Sequence, residues 1–226
     1  MKPTASPDPL AQLTEIRAIM ERSSRFLSLS GLSGVGAGLV ALVGAAVGHC
    51  YLQSQYPGGY LRLLQGSAAS RQAMLPFLLL LAGSMMTAAF AAAFFFTQRR
   101  TQRHGQALWS PPARRLVLAL AVPLGVGGVF CLRLYQGADA AMVVPGLLVF
   151  YGLALLNASK FTLTEVRWLG LTHIALGLLN MLLPGWEVVF FVLGFGLGHI
   201  GYGLVMYSRY ERPGAAGAVA KSATGR

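Results

Sequence analysis

Two histidines, His173 and His199, and one amide, Asn180, stand inside the last long apolar hairpin of the chain. That hairpin reads VRWLGLTHIALGLLNMLLPG and then WEVVFFVLGFGLGHIGYGLVMYS, from Val166 to Ser208. His173 lies about seven residues into the first half and His199 about eight from the end of the second, so an antiparallel hairpin sets the two rings at similar depth. Helical spacing puts Gly170, His173, Gly177 and Asn180 on one face, and Phe195, His199, Tyr202 and Met206 on another. Imidazoles brought together away from water can relay protons, sense pH, or ligate a metal or haem. They can equally serve as hydrogen-bonded glue between helices. His173, His199, Asn180 and Tyr202 are therefore the candidate proton or ligand site.

Other chemistry is narrowed by where the remaining reactive residues fall. The seven carboxylates, Asp8, Glu15, Glu21, Asp139, Glu165, Glu187 and Glu211, all lie in tails, loops or span ends. That placement argues against an aspartyl intramembrane protease, a carboxylate-driven pump or an Asp/His metal hydrolase, each of which uses a carboxylate at mid-membrane. Cys50 and Cys131 form neither a CxxC pair nor a Cys/His metal spacing. No metal and no cofactor are expected. Gly31-Leu32-Ser33-Gly34 has the form GxSG and, taken with His199, is similar to the Ser-His pair of the rhomboid proteases. In those enzymes, however, the serine motif belongs to the fourth span and an HxxxN motif backs it. Ser33 instead sits in a first-span stripe of small residues, and no enzyme is expected.

The elements that must position these residues are membrane spans. With 226 residues, 55% of them hydrophobic and 11% charged, and a mean hydropathy of +0.59, the chain lacks the polar surface of a water-soluble globule. The net charge of +11 comes from basic residues beside and between apolar runs, a distribution suited to lipid headgroups rather than nucleic acid. A span needs about 20 apolar residues, and six such segments are expected: 26–52, 73–96, 115–135, 140–158, 166–183 and 186–208. The third is expected to be broken at Pro123. Residues 53–72 read as a polar loop, Thr162 and Glu165 have capping-box spacing before the fifth span, and Pro184-Gly185 turns the chain before the sixth. Residues 10–25 have the pattern of an amphipathic interfacial helix, an anchor or a docking element for a cytosolic partner. Residues 209–226 read as a disordered tail. Arg99, Arg100, Arg103, Arg114 and Arg115 place their loop on the cytoplasmic side, and counting outward puts both termini there, in a bacterial-type inner membrane. Arg62 and Arg71 are exceptions on the outer side. Gly34, Gly38 and Gly48 in the first span, with Gly177 and Gly198 in the last hairpin, are expected helix-packing positions, where small side chains let backbones approach.

Weak repetition runs through this layout. Residues 25–30 match 167–172 in type, Arg115 opens the third span in the same way, and Tyr151-Gly152-Leu153 echoes Tyr202-Gly203-Leu204. The fold class expected is thus all-α and polytopic: six transmembrane helices as three helical hairpins, after an amphipathic helix. The segment RWLGLTHIALGLLNMLLPG followed by LGFGLGHIGYGLVM resembles the hairpin unit of the HdeD-type acid-resistance membrane proteins, through Gly170, Gly177, Pro184, Gly196 and Gly203. The likeness covers about the last 45 residues. It implies a membrane-stress or acid-protection role and no catalytic residues. A non-enzymatic stress-response or regulatory protein, pH-responsive through His173 and His199, is the function expected. A small-solute transporter or channel, with Pro123 and Pro145 opening backbone toward a cavity, is the alternative. Partners expected are the lipid bilayer, a cytosolic protein at residues 10–25 and a second copy of the chain.

Overall fold

A computed structural model describes residues 29–103, 109–137 and 139–212. The expected amphipathic helix at 10–25 and most of the C-terminal tail lie outside these residues. Among them all regular structure is helical: α1 (Gly31–Gln55), α2 (Gly59–Gln65), α3 (Ala68–Arg103), α4 (Pro111–Gln136), α5 (Val143–Ala158), α6 (Thr164–Leu182) and α7 (Glu187–Tyr210). Short 3-10 turns flank α5 at Ala140–Met142 and Ser159–Phe161.

Five helices are long and apolar enough to cross a membrane, and α6 is not among them. The reason is its content. The 19 residues of α6 include the buried polar side chains Glu165, His173 and Asn180, which are the residues a helix turned toward protein neighbours can carry. At about 1.5 Å per residue it still reaches nearly 30 Å, between α5 and α7. The helices form a multispan membrane protein, and its wide apolar exterior, including Leu80, Phe90, Leu118, Val129 and Leu182, is the surface lipid covers.

Several boundaries differ from expectation. The loop at 53–72 contains α2, whose Leu63 is fully buried; its entry uses Gly58 and Gly59 at φ of 104° and 59°, a conformation open to glycine. Helix α3 runs through the arginines to Arg103 instead of ending at Phe96. Helix α4 begins four residues before Arg115, where Pro111 takes the first helical position and the Ser110 hydroxyl accepts from the Ala113 N–H. It continues through Pro123 unbroken. The N-cap of α6 falls on Leu163, not Thr162. Helix α7 extends to Tyr210, so Arg209 and Tyr210 belong to it and not to a disordered tail.

Glycine decides the tightest packing. A methyl group on Gly152 of α5 would lie 2.6 Å from the Gly170 carbonyl of α6, and one on Gly177 would lie 2.9 Å from that of Pro145. On α1 and α7 the same contacts recur: a methyl on Gly203 would lie 2.7 Å from the Gly31 carbonyl, and one on Gly38 would lie 2.6 Å from that of Gly196. Backbones this close leave no room for any side chain. The two helix pairs therefore match with Gly31 on Gly170, Gly38 on Gly177 and Gly203 on Gly152. The Tyr-Gly-Leu echo is in this register. The echo of 25–30 with 167–172 is three residues out of it, and Gly31-Leu32-Ser33 is the true counterpart of Gly170-Leu171-Thr172. These pairs join helices from different expected hairpins. The first-span stripe is likewise split, with Gly34 and Gly38 facing α7 while Gly48 receives Leu81 of α3; Gly44, outside the expected stripe, receives Met85.

The two ends of the bundle are tied by polar side chains. At one end Glu211 accepts from the Ser30 hydroxyl at 3.0 Å and the Gly31 N–H at 2.5 Å, and Arg100 bridges Glu211 and the Leu29 carbonyl. Glu165 there accepts from Arg209 at 3.0 Å and from the Tyr210 hydroxyl at 3.1 Å. At the other end Arg71 donates to the carbonyls of Gly66 and Gly137, and its own carbonyl accepts from Tyr135. Arg71, out of place by charge alone, thus ties α2, α3 and the end of α4 together.

A buried histidine pair as the candidate functional site

The hairpin of α6 and α7 brings the two imidazoles into contact. Their ring centroids lie 5.1 Å apart at an interplanar angle of 80°. His173 has no exposed surface and His199 has 7%. Around them stand Tyr151 of α5, 5.0 Å from His173 and 5.3 Å from His199, and Phe195 of α7, 5.3 Å from His173.

The shape of α7 makes this possible. Val192–Gly198, sequence VLGFGLG, is a π-helical stretch inside an otherwise α-helical element. Such a stretch, with hydrogen bonds from i to i+5, is rare and frequently accompanies functional sites. Its effect here is specific: the His199 Nδ1 lies 3.3 Å from the Gly194 carbonyl, five residues back. Gly194 also has no room for a side chain, since a methyl there would fall 2.5 Å from a Leu148 methyl and 3.5 Å from the His173 Nε2.

Hydrogen bonds assign the tautomers. The His173 Nδ1 lies 2.9 Å from the Leu169 carbonyl, and the His199 Nδ1 faces that of Gly194. A carbonyl only accepts, so in each ring Nδ1 carries the proton and Nε2 is the basic nitrogen. The His199 Nε2 accepts from the Tyr151 hydroxyl at 2.7 Å. The His173 Nε2 is buried without a partner. A second buried acceptor on the same face of α6, the Asn180 Oδ1, is also unpaired, while the Asn180 amide reaches the Leu183 carbonyl at 3.5 Å.

The rest of the expected constellation divides. Tyr202 does not meet the histidines by hydrogen bond; its hydroxyl pairs with Thr172 at 3.2 Å. Gly198 borders the site, where a methyl would lie 3.8 Å from the His173 ring. Tyr151 holds the place expected for Tyr202, and its one sequence signal was the Tyr-Gly-Leu echo. Ser33 does not form a pair with His199: its hydroxyl donates to the Ser30 carbonyl, and both nitrogens of His199 are engaged elsewhere. Among the described residues no group of three His, Cys, Asp or Glu side chains is placed to hold a metal. Of the arginine cluster, Arg99 lines an open cleft of about 390 Å³ with Phe95, Gln98 and Gln102, and Arg100 is drawn inward to Glu211.

The carboxylates among the described residues, Asp139, Glu165, Glu187 and Glu211, sit at span ends as expected, yet two are not solvated. Glu165 and Glu187 are 5% and 3% exposed, at opposite ends of the α6–α7 hairpin. Glu165 is neutralised by Arg209. Glu187 accepts from the Gly185 N–H at 2.9 Å, and among the described residues no cation pairs with it. Tyr60 of α2 packs beside it, and burial, followed by the influence of Glu187, Tyr135 and Cys131, pushes the Tyr60 hydroxyl above its ordinary range.

No family model, curated protein or solved structure matches this chain.

Proposed function

We propose that this membrane protein is non-enzymatic and has a stress-response or regulatory role, responding to acid through His173 and His199. One observation carries the reading: the His173 Nε2 is a fully buried basic nitrogen with no donor. A proton placed on it creates a cation with no acceptor, 5.1 Å from a second imidazole whose nitrogens are both engaged. A buried donor or charge left unpaired costs several kcal/mol. Protonation is therefore coupled to movement of the rings and of the π-helical stretch that holds one of them. The resemblance of this hairpin to the HdeD-type proteins is in keeping with such a role. A solute carrier needs room at this depth, and there Tyr151 and Phe195 pack against the histidines, with Leu148 in the cluster on which Phe195 rests.

The test is limited trypsin digestion of the full chain in lipid vesicles as the pH is lowered, with tryptophan emission followed in parallel. The unsubstituted protein should change cleavage pattern and emission together over a narrow pH range. The double variant His173→Gln with His199→Gln should lose that transition while keeping its helical content. An identical transition in the double variant would refute the proposal.

A further inference from the structure

We infer that protons reach the histidine pair from the end of the bundle that carries Glu187, opposite the arginine cluster, by way of Glu187 and Asn180. The inference rests on the acid-responsive reading above and adds its direction and route.

The orientation of His173 is the first argument. Its Nδ1 edge is fixed on the Leu169 carbonyl, one turn toward the Glu165 end. The opposite edge, with the vacant Nε2, faces Gly194, on the Glu187 side of His199. The second is the contrast between the two ends. Toward Glu165, the side chains of Leu155, Val166 and Leu169 pack with Leu29, Leu120, Tyr151 and Tyr202, and beyond them the carboxylate is held by Arg209 and Tyr210. Both of its oxygens already accept hydrogen bonds from those two side chains. Toward Glu187 an apolar cluster packs as well, Val144, Leu148 and Phe190 with Leu176, Phe191 and Phe195, but the same face of α6 also carries the unpaired Asn180 Oδ1, seven residues or roughly 10 Å from His173. Past it lies the buried carboxylate of Glu187, which accepts from the Gly185 N–H and among the described residues pairs with no cation. The titratable and charged groups near this route are His49 of α1, which lines a cleft with Val188 and Val192 of α7, Tyr60 of α2, Arg71 of α3, Tyr135 and Cys131 of α4, Tyr151 of α5 and His199 of α7.

The step balances without a further reactant. A hydronium ion protonates the Glu187 carboxylate and leaves as water. The neutral acid then passes its proton along water hydrogen-bonded to the Asn180 Oδ1 onto the His173 Nε2, and the carboxylate is restored. Asn180 is a positioning residue, since an amide oxygen orients water but does not hold the proton at neutral pH.

The experiment uses the full chain carrying His49→Gln and His104→Gln, so that the remaining imidazoles are the buried pair. It is reconstituted in sealed vesicles, with orientation set by the access of added trypsin to the arginine segment between Arg99 and Arg115. The pH is dropped by rapid mixing on one face, and the infrared bands of imidazole and imidazolium are followed in time. Acid on the Glu187 face should load the pair about tenfold faster or more than acid on the other face. Glu187→Gln should remove that difference while leaving the final protonated fraction unchanged, Glu187→Asp should restore part of it, and Asn180→Leu should slow loading from that face alone. Equal rates from both faces, faster loading from the arginine face, or an unaltered asymmetry in Glu187→Gln would overturn the route. Failure of the pair to protonate after full equilibration at low pH on both faces would overturn the reading beneath it.

Discussion

The pair α1/α7 and the pair α5/α6 are built on the same glycine contacts, and they differ where it matters. Overlaying Gly31 on Gly170 and Gly38 on Gly177 puts Gly34 where His173 stands; overlaying Gly203 on Gly152 puts Tyr202 on Tyr151 and His199 on Leu148. In the first pair the middle position is empty of side chain and the helices simply close on one another. In the second, the same position holds an imidazole against Tyr151. Each histidine thus marks a departure from the repeat, and the two departures meet in space. Packing is what the repeat shares; candidate chemistry sits where the two copies disagree.

Substitutions separate what the two pairs share from what sets them apart. The largest effect should come from the shared framework. Gly152→Ala places a methyl 2.6 Å from a backbone carbonyl and should destabilise the purified protein by about 2–4 kcal/mol, measured by thermal unfolding in detergent. Gly203→Ala should behave alike if the two pairs are equivalent. By contrast Gly128→Ala, where nothing lies within 4 Å, should stay within about 0.5 kcal/mol. Unequal losses at Gly152 and Gly203 would show that the matched contacts are not matched in energy.

Smaller effects come from what distinguishes the second pair. Tyr151→Phe leaves the His199 Nε2 without its donor and should cost about 1–2 kcal/mol, whereas Tyr202→Phe, whose hydroxyl meets only Thr172 near the surface of the hairpin, should cost less. Glu165→Gln should cost about 1 kcal/mol, because its partner Arg209 is 65% exposed and water screens the pair. The smallest effect concerns α2. Burial holds the Tyr60 phenol neutral above its ordinary range, so the stability it contributes is complete below the unfolded value of about 10 and is lost as pH rises beyond it. Tyr60→Phe should flatten that alkaline loss and leave neutral stability nearly unchanged, as read by unfolding against pH.

Much of this was legible in the residues themselves. Apolar run length gave the helical spans, because lipid thickness and backbone hydrogen bonding leave few alternatives. Counting residues from the ends of the last hairpin placed His173 and His199 at one depth. What was not legible depended on distant partners. Tyr151 belongs to another expected hairpin, and nothing local to it announces an imidazole. The π-helical stretch at Val192–Gly198 reads as an ordinary Gly-rich helix, since its extra residue is fixed by packing against α1 and α6. Glu165 and Glu187 counted correctly as span-end residues, but position along a helix does not say which way a side chain faces. Pro123 failed as a helix breaker because a span in lipid has nowhere better to send its backbone groups than the helix itself.

The central claim is that the buried pair takes up a proton and that the packing changes when it does. Nitrogen NMR of the full chain with labelled histidine, in vesicles equilibrated from neutral to acid pH, tests it most directly, with His49→Gln and His104→Gln leaving the pair alone in view. Two neutral rings protonated at Nδ1 are expected at neutral pH, and imidazolium signals in acid that appear together with loss of the Tyr151 to His199 hydrogen bond. Rings that stay neutral with that bond intact at every pH where the fold survives would contradict it.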